Sequence, residues 1–220
     1  MAKSNYISLI AELSESEGVF TTAQAARMGI PRDALHDASK AGRIERVMRG
    51  AYRLVGSGSA QTDELAAIWK LTAPSRFAHE RMRPSEWDGV AIGGSTAASF
   101  SSIGDFYLSP YRIYTPKRFN SRSKVASFAV RRIAREEVSF ESGLPITRAE
   151  RTIFDLVADD EDLSLVGDAL RDACHTRRRF DFEKLKSLSI DQYGYEKGSS
   201  IFEMLLESAG ISEKERANGL

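Results

Sequence analysis

The chain has 220 residues, 42% hydrophobic and 28% charged, and its 31 basic and 31 acidic residues cancel to a formal charge of zero. That length suits two small domains, the apolar content excludes general disorder, and no apolar run approaches the roughly 18 residues of a membrane span. One cysteine, Cys174, excludes an internal disulfide framework, and His36, His79 and His175 are too scattered for a metal-ligand cluster, so neither metal nor cofactor is expected.

The opening "MAKSNYISLIAELSESE" lacks the apolar core and cleavage site of a secretory signal, which predicts a cytoplasmic protein. Within it Ile7, Ile10 and Leu13 fall near helical spacing and predict an amphipathic first helix. Thr21 with Gln24 three places on fits a capping box, and Phe20 with Ala25 fits a hydrophobic staple, so a helix is expected from Thr22 to Gly29. Pro31 suits the first turn of the next helix, "PRDALHDASKAG", which turns Leu35, Ala38 and Ala34 inward and stops at Gly42. "RIERVMRGAYRLV" then reads as two short strands joined through Arg49 and Gly50, where glycine supplies a positive backbone angle. Helix, helix, tight turn, helix, hairpin is the plan of a winged helix-turn-helix, in which the second helix of the pair fits the major groove and the wing lies along the backbone or minor groove.

"GSGSA" at 56–60 reads as a flexible linker, which makes 1–55 the DNA-binding domain and 61–212 a second, mixed α/β domain, with a frayed tail at 213–220. In the second domain "TDELAAIWKLT" reads as a helix and "GGSTAASFSSIG" as a loop leading into a short helix. "YRIYTP", "ASFAVRRI" and "EVSF" read as strands of a small sheet. From "GLPITRAERTIFDLVAD" the pattern is helical, with Thr147 expected as N-cap, Glu150 at the box position and Ile153, Phe154 and Val157 as the apolar face. "LSLVGDALRDACHTRRR", "DFEKLKSL" and "GSSIFEMLLESAGI" complete a set of C-terminal helices. The expected fold class is α+β.

Neutral total charge conceals patterning. Residues 18–55 carry seven basic residues against Asp33, Asp37 and Glu45, which predicts an anionic neighbour. Arg32, near the start of the second helix of the pair, is the candidate for a guanine contact, because a guanidinium matches O6 and N7; His36 projects from the same face. Arg27, Lys40, Arg43, Arg46 and Arg49 are candidate phosphate contacts, with Arg49 at the wing tip. Residues 111–135 carry eight basic residues and no acidic one. Arg112, Lys117, Arg118, Arg122, Lys124, Arg131 and Arg132 there form a possible second patch for DNA or an acidic protein surface. The other reading is that these arginines pair with the acidic helix around Asp159 to Asp162.

Two segments, "VFTTAQAARMGIPRDAL" with "AGRIERVMRGAYRL", and "GLPITRAERTIFDLVAD", resemble the AbiEi family of bacterial antitoxins, named for abortive infection, a phage defence, and grouped with type IV toxin-antitoxin systems. The latter segment is similar to the family's G-L-P-V-T-x-x-E-R-T-L-x-D-L pattern. "GGSTAASFSSIGD" departs from the family in lacking the histidines of an S-H-x-S-A-A-x-L-H-G-L pattern. The resemblance implies a repressor that binds repeats in its own double-stranded promoter and counteracts a nucleotidyltransferase-like toxin encoded beside it. Two alternatives stay open: an antitoxin acting mainly by direct binding to its toxin, and an enzyme that modifies the toxin.

No enzyme motif is complete, and no catalytic residue is expected. None of the lysines has Asp or Glu two places before it, as a restriction-type nuclease requires. Gly94-Ser95 is followed by Asp105, but Tyr107 stands where a nucleotidyltransferase needs its second magnesium-binding carboxylate. No Gly-x-x-x-x-Gly-Lys phosphate loop occurs.

Overall fold

The computed structural model describes residues 3–56, 62–121, 123–176, 180–212 and 215. The expected linker, apart from Gly56, lies outside the described residues, as do Arg122 and the tail apart from Glu215. The chain divides into two compact units, Met1–Val90 and Ala91–Leu220, in a mixed α+β architecture.

The first unit runs α1 (Lys3–Glu17), β1 (Phe20–Thr21), α2 (Thr22–Arg27), α3 (Arg32–Lys40), β2 (Ile44–Met48), β3 (Ala51–Leu54), α4 (Asp63–Thr72) and α5 (Ala78–Met82). The Thr21 capping box forms in both directions: the hydroxyl accepts from the Gln24 amide at 3.0 Å, and the Thr21 amide donates to Gln24 Oε1 at 2.8 Å. Two of the backbone donors left over at a helix start are satisfied in this way. Phe20 and Ala25 are buried together in the core with Ile10, Leu13, Ile30, Leu35 and Ile44. Pro31 is the N-cap of α3, one place before its first turn.

The three strands form an antiparallel sheet in the order β1-β3-β2. Met48 faces Ala51 across the two-residue turn Arg49-Gly50. Only Gly50 of that pair has a positive φ, +90°, as a type II turn requires at its third position. The Gly50 carbonyl accepts from the Thr22 amide at 3.0 Å, which ties the hairpin tip to the first turn of α2.

The unit does not end at residue 55. Ala67 of α4 packs with Val19 and Ala51, and Lys70 of α4 is buried in an ion pair with Glu17 of α1. The division therefore falls after Val90 rather than at 56–60, because α4 and α5 complete the core of the N-terminal unit.

The second unit runs β4 (Ala91–Ile92), α6 (Gly94–Phe100), β5 (Tyr111–Thr115), β6 (Ala126–Val130), β7 (Val138–Glu141), β8 (Leu144–Thr147), α7 (Ala149–Ala158), α8 (Leu163–Thr176), α9 (Phe182–Tyr193) and α10 (Tyr195–Ala209). Its five-stranded sheet has the order β6-β5-β4-β8-β7. The β6/β5 and β4/β8 pairs are parallel; β5/β4 and β8/β7 are antiparallel. Helices α7 to α10 bury Ile153, Leu156, Leu170, Leu185, Phe202 and Leu205 in one cluster.

Thr147 is not a helix cap. It ends β8, its hydroxyl lies 2.7 Å from that of Thr152, and the N-cap is Arg148 without a side-chain cap. Glu150 instead accepts from the Asp181 amide at 3.1 Å. The run Leu144–Thr147 is a buried inner strand because Ser142 and Gly143, both with positive φ, close a two-residue hairpin onto β7. Positive φ at both central positions is the type I′ geometry that matches strand twist. Gly93 has another use: a Cβ there would stand 2.0 Å from the Tyr114 ring, so only glycine lets that ring lie against the chain before α6.

Candidate nucleic-acid interface

Helix α3 buries Leu35 and Ala38 and exposes Arg32, Asp33, His36, Asp37 and Lys40, as its periodicity predicts. Asp33 sits in its first turn, where a carboxylate complements the helix dipole. His36 Nδ1 is 4.0 Å from its neighbour Asp37 and both are exposed.

A groove of about 920 Å³ opens in this unit between the helix pair and the hairpin. Arg27, Arg32, Arg46 and Arg49 line it, with Thr22 and Tyr52 in its wall. Four arginines from α2, α3, β2 and the hairpin turn thus converge, and no carboxylate stands among the lining residues. Arg32 and Arg49 are exposed and form no ion pair among the described residues; Arg46 Nε donates to the Met48 carbonyl at 3.3 Å.

Arg27 is committed elsewhere. Its Nη1 and Nη2 bond the two Glu80 oxygens at 2.9 and 2.8 Å, Nη1 also reaches the Ser75 carbonyl at 2.7 Å, and the guanidinium lies 4.5 Å from the Phe77 ring centroid. The Arg27 hydrogen bonds, with one from the Phe77 amide, hold the Glu80 carboxyl down at about 2. A depressed carboxylate stabilises the fold above its unfolded value, here about 4.5, and that contribution is lost as pH falls through about 2. In Arg27→Ala the Glu80 carboxyl is expected to titrate clearly higher, which NMR can follow. An unchanged midpoint would count against the pairing.

The structure does not gather every expected residue here. Arg43 lines a separate apolar cleft with Ile7, Ile10, Ala38, Leu54 and Val55, and Lys40 and His36 are not in the groove wall. Arg53, part of the basic run, pairs with Glu45 and with Asp63 at 3.3 Å.

The second patch is likewise divided. Arg112 reaches Asp159 through Nε at 2.9 Å and Nη2 at 2.7 Å, and Arg131 pairs with both Asp155 and Asp159. Tyr114 donates to Asp159 at 2.9 Å, and burial pushes its phenol well above the ordinary value. Arg151 bridges Asp155 and Glu137, each at 3.1 Å. Arg112 and Arg131 are thus neutralised against α7 and its C-terminal end, leaving Lys117, Arg118, Lys124 and Arg132 exposed.

Among the described residues no group of three or more His, Cys, Asp or Glu is placed to hold a metal ion, and no helix is long and apolar enough to cross a membrane.

Residues 8–55, the span from α1 to β3 that builds the arginine groove, match the family model described as transcriptional regulator, AbiEi antitoxin. This segment is similar to the AbiEi family. By that description, AbiEi proteins are antitoxins that regulate transcription. Comparison with curated proteins finds no match to the chain. Every groove arginine lies inside the AbiEi segment, whereas Glu80, which restrains Arg27, lies outside it. The sequence pattern points to the four arginines but carries no signal for Glu80, whose contact spans 53 residues of chain.

Proposed function

We propose that the protein is a cytoplasmic antitoxin whose N-terminal unit works as a winged helix-turn-helix, binding repeats in its own promoter and repressing transcription. The observation that carries this reading is the convergence of Arg32, Arg46 and Arg49 on one groove inside the AbiEi segment, with Arg27 in the same wall but held by Glu80. A groove lined by three arginines that form no ion pair among the described residues attracts a polyanion. The start of α3 brings Arg32 to base edges and the hairpin brings Arg49 to phosphates. His36 and Lys40 extend the contact along the exposed face of α3, with Arg43 as a peripheral phosphate contact. The toxin counteracted is of nucleotidyltransferase type, as the AbiEi resemblance implies.

The test is equilibrium binding to duplex from upstream of the gene and to a scrambled duplex, across a salt series. Arg32→Ala is expected to lose about 1–3 kcal/mol of preference for the native duplex. Arg49→Ala should weaken both duplexes alike and flatten the log-log salt slope by about 0.9. Equal, weak binding of the unaltered protein to both duplexes would refute the operator reading. Growth rescue on co-expression with the adjacent toxin gene tests the antitoxin half separately.

A further inference from the structure

Strand β6 forms one margin of the five-stranded sheet and, among the described residues, has β5 as its sole strand neighbour. In the parallel ladder the Tyr111 amide donates to the Val125 carbonyl at 2.7 Å, and the Arg131 amide donates to the Thr115 carbonyl at 3.0 Å. Odd-numbered residues of this stretch therefore direct their backbone groups to β5. By the alternation of a parallel pair, the N–H and C=O groups of Ala126, Phe128 and Val130 point away from the sheet. Val130 is 60% exposed.

The margin is basic. Lys124 precedes the strand, Arg132 follows it, and Lys117 and Arg118 follow the parallel β5, which ends at the same side as β6; all four are exposed. Arg112 and Arg131, by contrast, are neutralised by Asp155 and Asp159. No acidic residue occurs from 111 to 135 to offset the exposed four.

We propose that the β6 edge is a docking site for an extended, acidic segment of a partner protein, which adds to the sheet as a further strand. Main-chain hydrogen bonds to Ala126, Phe128 and Val130 supply the attachment, and alternate carboxylates of the incoming strand meet Lys117, Arg118, Lys124 and Arg132. A second copy of this chain is disfavoured, because its own β6 carries the same charges and edge lysines and arginines repel one another. Nucleic acid is the poorer fit. Phosphate oxygens only accept hydrogen bonds, so the outward carbonyls of β6 would lack donors, whereas a peptide strand brings both. This site is independent of the operator reading.

The test is amide hydrogen exchange of the full chain with a blocked peptide of about eight residues that alternates Val with Glu. Exchange at Ala126, Phe128 and Val130 is expected to slow by about tenfold, and the effect to fade with added salt. The same peptide with Lys for Glu should give no slowing. Val130→Pro removes an outward donor without touching the ladder to β5 and should abolish the protection. If that variant unfolds, Lys117→Glu with Arg132→Glu makes the same test through charge. No slowing with the Glu peptide, equal slowing with the Lys peptide, or slowing by random-sequence DNA in its place would each overturn the proposal.

Discussion

Glu17→Ala is expected to destabilise the N-terminal unit by about 3–5 kcal/mol, the usual cost of stripping one partner from a buried ion pair. The Glu17 side chain is 2% exposed and that of Lys70 5%. Besides Lys70, the Glu17 carboxylate accepts from Gln24 Nε2 at 2.9 Å and from the Ala78 amide at 3.1 Å, so it joins α1 to α2, α4 and the start of α5. Removing it leaves the buried Lys70 ammonium without its carboxylate, takes one of two acceptors from the Gln24 amide, which keeps the Arg76 carbonyl at 2.9 Å, and takes the acceptor from the Ala78 N–H. Burial already lowers the Lys70 pKa, and Glu17 is what opposes that shift. Both tryptophans, Trp69 and Trp87, lie in this unit, so urea unfolding followed by their fluorescence reads it directly. Glu17→Leu with Lys70→Met should recover much of the loss, since no charge is then left stranded. A double variant as weak as the single one would mean that the loss comes from the Gln24 and Ala78 hydrogen bonds or from packing, and not from a stranded ammonium.

Asp155→Ala should cost the second unit a similar amount, about 3–5 kcal/mol, because it strips a carboxylate from two arginines together. Asp155 is fully buried, and it receives Arg131 from the end of β6 and Arg151 from its own helix. Arg131 keeps Asp159 and Arg151 keeps Glu137, so the variant is expected to fold at low temperature and to unfold early on heating. Cys174 supplies the readout. It is buried in the helical core of this unit and burial pushes its thiol up to about 11, so alkylation near neutral pH requires opening. Faster alkylation in Asp155→Ala, with the tryptophan-detected transition unchanged, is the expected pattern. Equal alkylation rates would show that Asp155 does not hold this core together.

Locally encoded features are legible in the amino-acid sequence. The Thr21 capping box, Gly29 and Gly42 after the two helices of the pair, and the Gly50 turn each depend on a few adjacent residues, and each lies where the pattern puts it. What escapes a linear reading depends on distant partners. Two residues of β4 and the Pro-containing β8 have no period to detect; they are strands because β5 and β7 pair with them. The glycine-rich run at 56–60 puts Asp63–Thr72 on the wrong side of a domain boundary, since nothing in a helix pattern says which core it faces. Of the two readings of the basic run, pairing with acids around Asp159 holds for Arg112 and Arg131, whereas the share of Asp155, one helical turn earlier, and which basic residues stay exposed are decided by the sheet register. The groove arginines are visible as residue types, whereas the restraint on Arg27 requires Glu80 in α5.

The hydrogen bond from the Thr22 amide to the Gly50 carbonyl joins α2 to the hairpin turn within the wall of the arginine groove. Because the hairpin tip and the first turn of α2 are fastened together, the groove is a jaw of set gauge and not a pair of independent fingers. On the proposed reading, a ligand would meet Arg32 of α3 together with Arg46 and Arg49 of a hairpin already fastened to α2. Little freedom remains to be lost on closing, and a ligand whose anionic groups are spaced differently gains nothing from the hairpin swinging outward.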